Sequence, residues 1–219
     1  MKQLALLFDL DGTLIDSISL LIQSMEFAFS NRSHRPTVDY WTAGIGKPLR
    51  VQIAEWAADG DDAERLIDRY REYQSQHLEA LTTVYPDVPE VLEWIRQRGH
   101  RLALVTSKGR GMTERSLAHT GLAALFDVTV TVESTERHKP LPDPVWHAVD
   151  ALQMPREHAL FVGDSTHDMF AGKAAGVLTA AATWGPFSSA ELTTAAPSFW
   201  LANMRELQPL VERLEQEAT

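Results

Sequence analysis

A chain of 219 residues, 44% hydrophobic and 23% charged, has enough apolar material for a core of one large domain, or of a domain with a smaller companion, and is too apolar for wholesale disorder. With 30 acidic against 20 basic residues, the formal net charge is −10. This excludes a global attraction to nucleic acid or to an anionic membrane, so an anionic ligand must be met by a local metal ion, a lysine or a helix N-terminus. The absence of cysteine removes disulfides and thiolate metal sites and fits a reducing, cytoplasmic setting.

The apolar run after Met1-Lys2 is too short for a signal peptide and is interrupted by Asp9. No window approaches the length of a membrane span. Residues 4–10, LALLFDL, read as a fully buried strand ended near Gly12. From residue 15 to about 81 the rhythm becomes helical: Ile18, Leu21, Met25 and Phe29 share one face, and Leu66, Ile67, Tyr70, Tyr73 and Leu78 another. Val51, Ile53, Ala54 and Ala57 repeat the pattern between them. No convincing strand interrupts this stretch, which predicts a helical insert over 15–83 within a core of 1–14 and 84–219. Inside it, TAGIGKPLR (42–50) is a break: Gly44 and Gly46 interrupt the helix, and Pro48 can start the next.

After Pro86 the pattern alternates. A helix is predicted over 88–98, capped by Asp87 and stopped by Gly99, then a strand over 102–105. A helix over 112–119 ends at Gly121, and 126–132 is strand-like and β-branched. A helix over 144–152, a strand over 160–162 and a helix over 169–175 closed by Gly176 follow. Strands over 177–182 and 199–201 and an amphipathic helix over 205–217 complete the chain. Such alternation predicts an α/β fold, a parallel sheet with helices on both faces, whose ligands bind beyond the carboxyl ends of the strands.

The polar residues that follow those strands form a set. Asp9 and Asp11 follow the first, and Thr106, Ser107 and Lys108 follow 102–105. Arg137, His138 and Lys139 with PLPDP follow 126–132, and GDSTHD, with Asp164 and Asp168, follows 160–162. Positions i and i+2 of an extended segment share a side, so Asp9 and Asp11 can both face one crevice. Two close carboxylates call for a cation, and Mg²⁺, hard and oxygen-seeking, suits them, with Asp164 as a further ligand. A carboxylate can also attack phosphorus, and Lys139, with the hydroxyl and N–H groups around Thr106 and Ser107, can neutralise phosphoryl charge. Gly12 lets the backbone approach an anion. Taken singly, these residues have plainer readings: Thr106 satisfying backbone, His138 solvated, Ser165 capping a helix, Trp184 packing. The arginines of ERLIDRYREY likewise read as a solvated face paired along the helix with Glu64 and Asp68.

In combination they resemble a known family. FDLDGT resembles the first motif of the haloacid dehalogenase superfamily, VTSK the second, KPLPDP the third and VGDSTHDMFAGKAAG the fourth. They occur in order over nearly the whole chain, and the helical insert occupies the position of that superfamily's C1 cap. The resemblance implies a Rossmann-like α/β core with an inserted helical cap, and a Mg²⁺-dependent phosphatase for a small phosphorylated metabolite, similar to phosphoglycolate phosphatase. It implies Asp9 as nucleophile and metal ligand, Asp11 as general acid/base, and Asp11, the Leu10 carbonyl, Asp164 and Asp168 in the metal shell with Asp9. It further implies that Thr106 and Ser107 bind the phosphoryl group and that Lys139 offsets its charge. The loop bearing Lys47 and Arg50 is expected over the site, reading a second negative charge. A β-phosphoglucomutase-like transferase and a pyrophosphatase remain alternatives on the same scaffold, and a non-catalytic phosphate-binding regulator is an alternative of another class. Expected partners are the small metabolite alone, without nucleic acid or membrane, for a monomer or homodimer in the cytoplasm.

Overall fold

The computed structural model describes residues 2–217. Its main sheet has six parallel strands in the order β5-β4-β1-β6-β7-β8, comprising β1 (Ala5–Phe8), β4 (Arg101–Val105), β5 (Val128–Val130), β6 (Ala159–Gly163), β7 (Leu178–Ala182) and β8 (Phe199–Leu201). The central β1 pairs with β4 through Ala5↔Arg101 and with β6 through Ala5↔Ala159. Because side chains alternate along a strand, β1 feeds two cores. Leu6 and Phe8 pack with Val91, Leu92 and Ile95 of α5 (Val88–Gln97) and with Leu207 and Val211 of α10 (Leu207–Gln216). Ala5 and Leu7 pack on the opposite face with Val145 and Ala148 of α7 (Asp143–Ala151) and Ala171 of α8 (Thr166–Ala175). A strand buried on both faces has no polar side to show, which explains the continuous apolar run.

A two-stranded antiparallel pair, β2 (Ile15–Asp16) with β3 (Thr83–Val84), carries the chain out of this core and back. Between them lie α1 (Ile18–Ala28), α2 (Val38–Ala43), α3 (Leu49–Ala54) and α4 (Gly60–His77). Their own core joins Met25, Phe29, Trp41, Ile53, Leu66 and Tyr70, and it continues onto Met169 and Phe187 of the α/β body. Helix α4 starts where the Asp59 side chain accepts the Asp62 N–H at 2.8 Å, a cap that contributes about 1 kcal/mol. The fold is thus α/β with a helical insertion, as expected. No helix among the described residues is long and apolar enough to cross a membrane.

Departures from the sequence expectation have local causes. The six residues of α2 are too few for a clear periodicity; Thr37 starts the helix by accepting the Tyr40 N–H. Helix α9 (Ser189–Thr193) rests on a Ser188–Glu191 capping box. Strand β5 is shorter than 126–132 because 3₁₀ turns at Ala123–Leu125 and Val132–Ser134 close on it from both sides. Asp87 does not cap α5 with its side chain. It adopts φ 67° and gives its carboxylate to Arg205 at 2.8 Å.

Just before β4, His100 is buried against both ends of the chain. Its Nδ1 accepts the Leu4 N–H at 3.2 Å, and its Nε2 lies 2.8 Å from Glu215 Oε1. Burial holds the imidazole below its ordinary value of 6.5, although Glu215 opposes this. A histidine pKa lowered by folding contributes stability that is complete above the unfolded value and is lost as pH falls below about 6.5. Between about pH 7.5 and 5.5 the melting temperature of the wild type is therefore expected to fall more steeply than that of His100→Asn, which cannot titrate. Parallel melting curves would remove His100 from the acid sensitivity.

Candidate active site

The polar residues gather at the carboxyl edge of the sheet. Asp9 follows β1 directly and keeps its N–H in the ladder, donating to Val162 O at 3.0 Å. Asp164 follows β6, and Asp168 sits in the first turn of α8, where Ser165 and Asp168 form a capping box. One carboxylate oxygen from each of Asp9, Asp164 and Asp168 can be chosen so that all lie within 4.8 Å of one another, and all three residues are buried. Lys139 closes the group: its Nζ donates to Asp9 Oδ1 and Asp168 Oδ1, both at 2.7 Å, and to Val105 O at 3.2 Å.

Three buried carboxylates against one ammonium leave an excess of negative charge. Burial, with Asp168 and Asp11 adding to it, pushes the Asp9 carboxyl up to about 7 even though Lys139 pulls it down. Burial and the charges of Asp168 and Asp9 raise Asp164 well above the ordinary range. Burial pulls the Lys139 ammonium down, but Asp168 and Asp9 outweigh it and raise it overall. Asp164 Oδ1 accepts the Thr13 hydroxyl at 2.6 Å, while its Oδ2 is buried with no hydrogen-bond partner among the described residues. A buried, unpaired carboxylate oxygen is costly unless a cation meets it. The all-oxygen, carboxylate-rich donor set therefore fits a hard divalent cation. Gly12, at φ 89°, makes room for Asp164: a Cβ there would come 2.5 Å from Asp164 Oδ2.

Asp11 stands outside that trio. Its Oδ1 accepts Ser17 Oγ and Lys108 Nζ, each at 2.5 Å. The Leu10 carbonyl accepts the N–H groups of Thr13, Leu14 and Ile15 at 3.0–3.3 Å. Its lone pairs thus serve the turn that leaves β1.

A cavity of about 360 Å³ opens above this floor. Asp9, Asp11, Thr106 and Ser107 line its base, and Lys47, Arg50 and Arg71 line the side formed by the insertion. The 42–50 loop does reach over the site: Ser107 Oγ donates to Gly46 O at 2.6 Å. Gly46 has φ 100°, which favours glycine, and a Cβ on it would come 3.0 Å from Ser165 Oγ, so a side chain there would be strained and would press on its neighbour. Lys47 Nζ is 3.6 Å from Glu55, and Arg50 forms a two-pronged pair with Glu64. His138 also lines the cavity, whereas Trp184 supports the floor from outside, donating Nε1–H to Thr13 O at 3.0 Å.

The arginines of α4 do not form one solvated row. Arg65 pairs with Asp62, Arg69 donates to Phe27 O and Ala28 O, and Arg71 faces the cavity. Glu64 is taken by Arg50 from another helix. Sequence reasoning also passed over Tyr70 and Gln74, which share the cavity wall with Arg71. Their i, i+4 spacing places both on one face, but nothing local says that this face meets a site. Lys108 did carry a signal, a charged residue directly after Thr106 and Ser107 at a strand end.

Comparison with known proteins agrees with this arrangement. Residues 6–182 match the model of the haloacid dehalogenase-like hydrolase family. Pyrophosphatase PpaX of Bacillus anthracis is 34% identical over 220 residues, covering 99% of this chain and 100% of that protein. A hydrolase from Pseudomonas syringae superposes with a TM-score of 0.88 at 21% identity, covering 96% of this chain and 99% of the other. A predicted phosphoglycolate phosphatase from Haemophilus somnus reaches 0.86 at 24%, covering 96% and 98%. With its parallel sheet, its helical insertion and its buried aspartate trio, the chain belongs to the haloacid dehalogenase-like hydrolases.

Proposed function

We propose that this hydrolase is a Mg²⁺-dependent phosphatase for a small phosphate compound bearing a second anionic group, with inorganic pyrophosphate as its leading substrate. The observation that carries this reading is the cavity: a carboxylate floor at Asp9 faced by Lys47, Arg50 and Arg71. Among the described residues Arg71 makes no hydrogen bond and no close ion pair, although its charge helps lower the Glu64 carboxyl. A guanidinium without a close partner beside a small cavity suits a phosphate or carboxylate. The 34% identity to PpaX pyrophosphatases supports pyrophosphate. The same cations accept a carboxylate equally well, which keeps phosphoglycolate as the second reading.

In this reading 15–83 is the cap and 1–14 with 84–219 the core, with the β2–β3 pair as the stem between them. Asp9, Asp164 and Asp168 would hold Mg²⁺, which would supply neutralisation of charge on the phosphoryl oxygens. Asp9, held at Oδ1 by Lys139, attacks phosphorus to form an aspartyl-phosphate. Thr106 and the Ser107 backbone orient the phosphoryl group, and Lys139 offsets its charge. Asp11 protonates the leaving oxygen and then takes a proton from the hydrolytic water. The Gly46–Ser107 contact closes the cavity and limits it to small substrates.

A panel of phosphate compounds tests this proposal. Pyrophosphate is expected to give a kcat/KM at least about tenfold above that of a monoester with an uncharged leaving group of similar size. Arg71→Ala is expected to raise KM for pyrophosphate by about tenfold, with a smaller change in kcat. Equal kcat/KM values across the panel would sink the anionic-group reading. Conversion of a sugar phosphate to its isomer without phosphate release would favour the mutase alternative.

A further inference from the structure

Asp11 is gripped by two side chains that the steps above do not use. Lys108 brings its Nζ to 2.5 Å from Asp11 Oδ1 with only 5% of its side chain exposed. Asp11 is its only ion-pair partner among the described residues. A buried ammonium is tolerated when its geometry against a carboxylate is good, and this one is spent on a single oxygen. Ser17 occupies the N-cap position of α1, yet its hydroxyl makes no cap bond. It donates instead to the same Oδ1 at 2.5 Å, forgoing a cap that contributes about 1 kcal/mol. The Lys108 backbone is itself anchored: its N–H donates to Thr106 Oγ1 at 3.1 Å, and its carbonyl accepts the Val132 N–H at 3.2 Å. Asp11 Oδ2 has no hydrogen-bond donor among the described residues.

We propose that Lys108, assisted by Ser17, is the positioning residue of Asp11: the two donors pin Oδ1 and leave Oδ2 as the oxygen that carries and delivers the proton. This inference rests on the reading of Asp11 as the acid/base. In the first step an oxygen of Asp9 forms a bond to phosphorus and the bond to the leaving oxygen breaks with its electron pair. The proton on Asp11 Oδ2 passes to that oxygen. In the second step water attacks phosphorus, gives a proton to Asp11 Oδ2 and displaces Asp9, which restores both side chains. Lys108 and Ser17 exchange no proton. They fix the direction from which Oδ2 works, and a misdirected acid matters most where the leaving group cannot depart unaided.

The test compares monoesters without a second charge, so that recognition of an anionic group plays no part. Lys108→Met and Ser17→Ala are assayed on p-nitrophenyl phosphate, whose leaving group needs little protonation, and on simple alkyl phosphates, whose leaving group needs it fully. The quantity read is kcat/KM, which covers steps only through departure of the leaving group. Lys108→Met is expected to lower kcat/KM for alkyl phosphates by about 100-fold and for p-nitrophenyl phosphate by less than about fivefold. Ser17→Ala should show the same split at smaller size, and Lys108→Arg should recover part of the alkyl activity. If Lys108→Met does not fold, the Ser17→Ala comparison decides alone. An equal loss on both ester classes overturns the positioning role while leaving the phosphatase reading intact. A wild type that turns over neither of these ester classes nor pyrophosphate overturns the acid/base assignment, and the positioning role with it.

Discussion

Asp9→Asn is expected to reduce phosphate release by about 10⁴-fold or more, while the metal-free protein melts at the same temperature as the wild type or higher. The two outcomes share a cause. Asp9, the proposed nucleophile, is buried beside Asp168 and Asp164, and burial pushes its carboxyl up to about 7 from 3.8. A carboxyl raised by folding contributes stability that is complete below the unfolded value and is lost as pH climbs from about 4 to about 7. At neutral pH the ionised Asp9 therefore weighs against the folded state unless a cation compensates. Asparagine removes that charge, and Lys139 keeps Asp168 and Val105 O as partners. Phosphate release with Mg²⁺, together with melting curves in a chelator near pH 7.5, reads both effects. Full activity of the variant would discard Asp9 as nucleophile. A clearly lower melting temperature would discard the electrostatic account. Stability given up for a reactive group is a common trade at active sites.

The second large effect belongs to Asp164. Mg²⁺ is expected to stabilise the wild type by about 2.7 kcal/mol at a hundred times its dissociation constant, read as a rise in melting temperature that grows with the logarithm of Mg²⁺ concentration. Asp164→Asn is expected to lose most of that rise and about 100-fold or more in activity. Asparagine preserves the hydrogen bond from Thr13, so the fold should survive. What it loses is the anionic charge on Oδ2, the oxygen buried with no hydrogen-bond partner among the described residues. A variant with an unchanged Mg²⁺ response, or a wild type fully active in a chelator, would remove the metal from this site.

These two aspartates were readable before the fold was known, and so was much of what surrounds them. Asp9, Asp164, Thr106 and Lys139 each come directly after a strand or in the loop that follows one, and strands buried on both faces betray themselves as short apolar runs. A parallel sheet puts all those ends on one edge, so a local pattern becomes a shared crevice. Gly121 and Gly176 also ended their helices as expected, both in the left-handed region. Asp11 shows where such reading stops. Its i+2 spacing from Asp9 suggested a shared cation, whereas Lys108 and Ser17 hold it apart from the trio.

From the sequence by itself come the strand and helix alternation, the position of the helical insertion and the list of residues able to do phosphoryl chemistry. These follow from periodicity and from residue types at element ends, which act over a few positions. The tertiary structure alone decided which carboxylates meet and what each charge pairs with. Asp168 joins Asp9 through Lys139, Arg50 turns to Glu64, Arg71 turns to the cavity, and Asp87 leaves its helix for Arg205. Such partners lie up to 130 residues apart in the chain. Their meeting depends on how the insertion folds back over the sheet, and neither local spacing nor residue type encodes that.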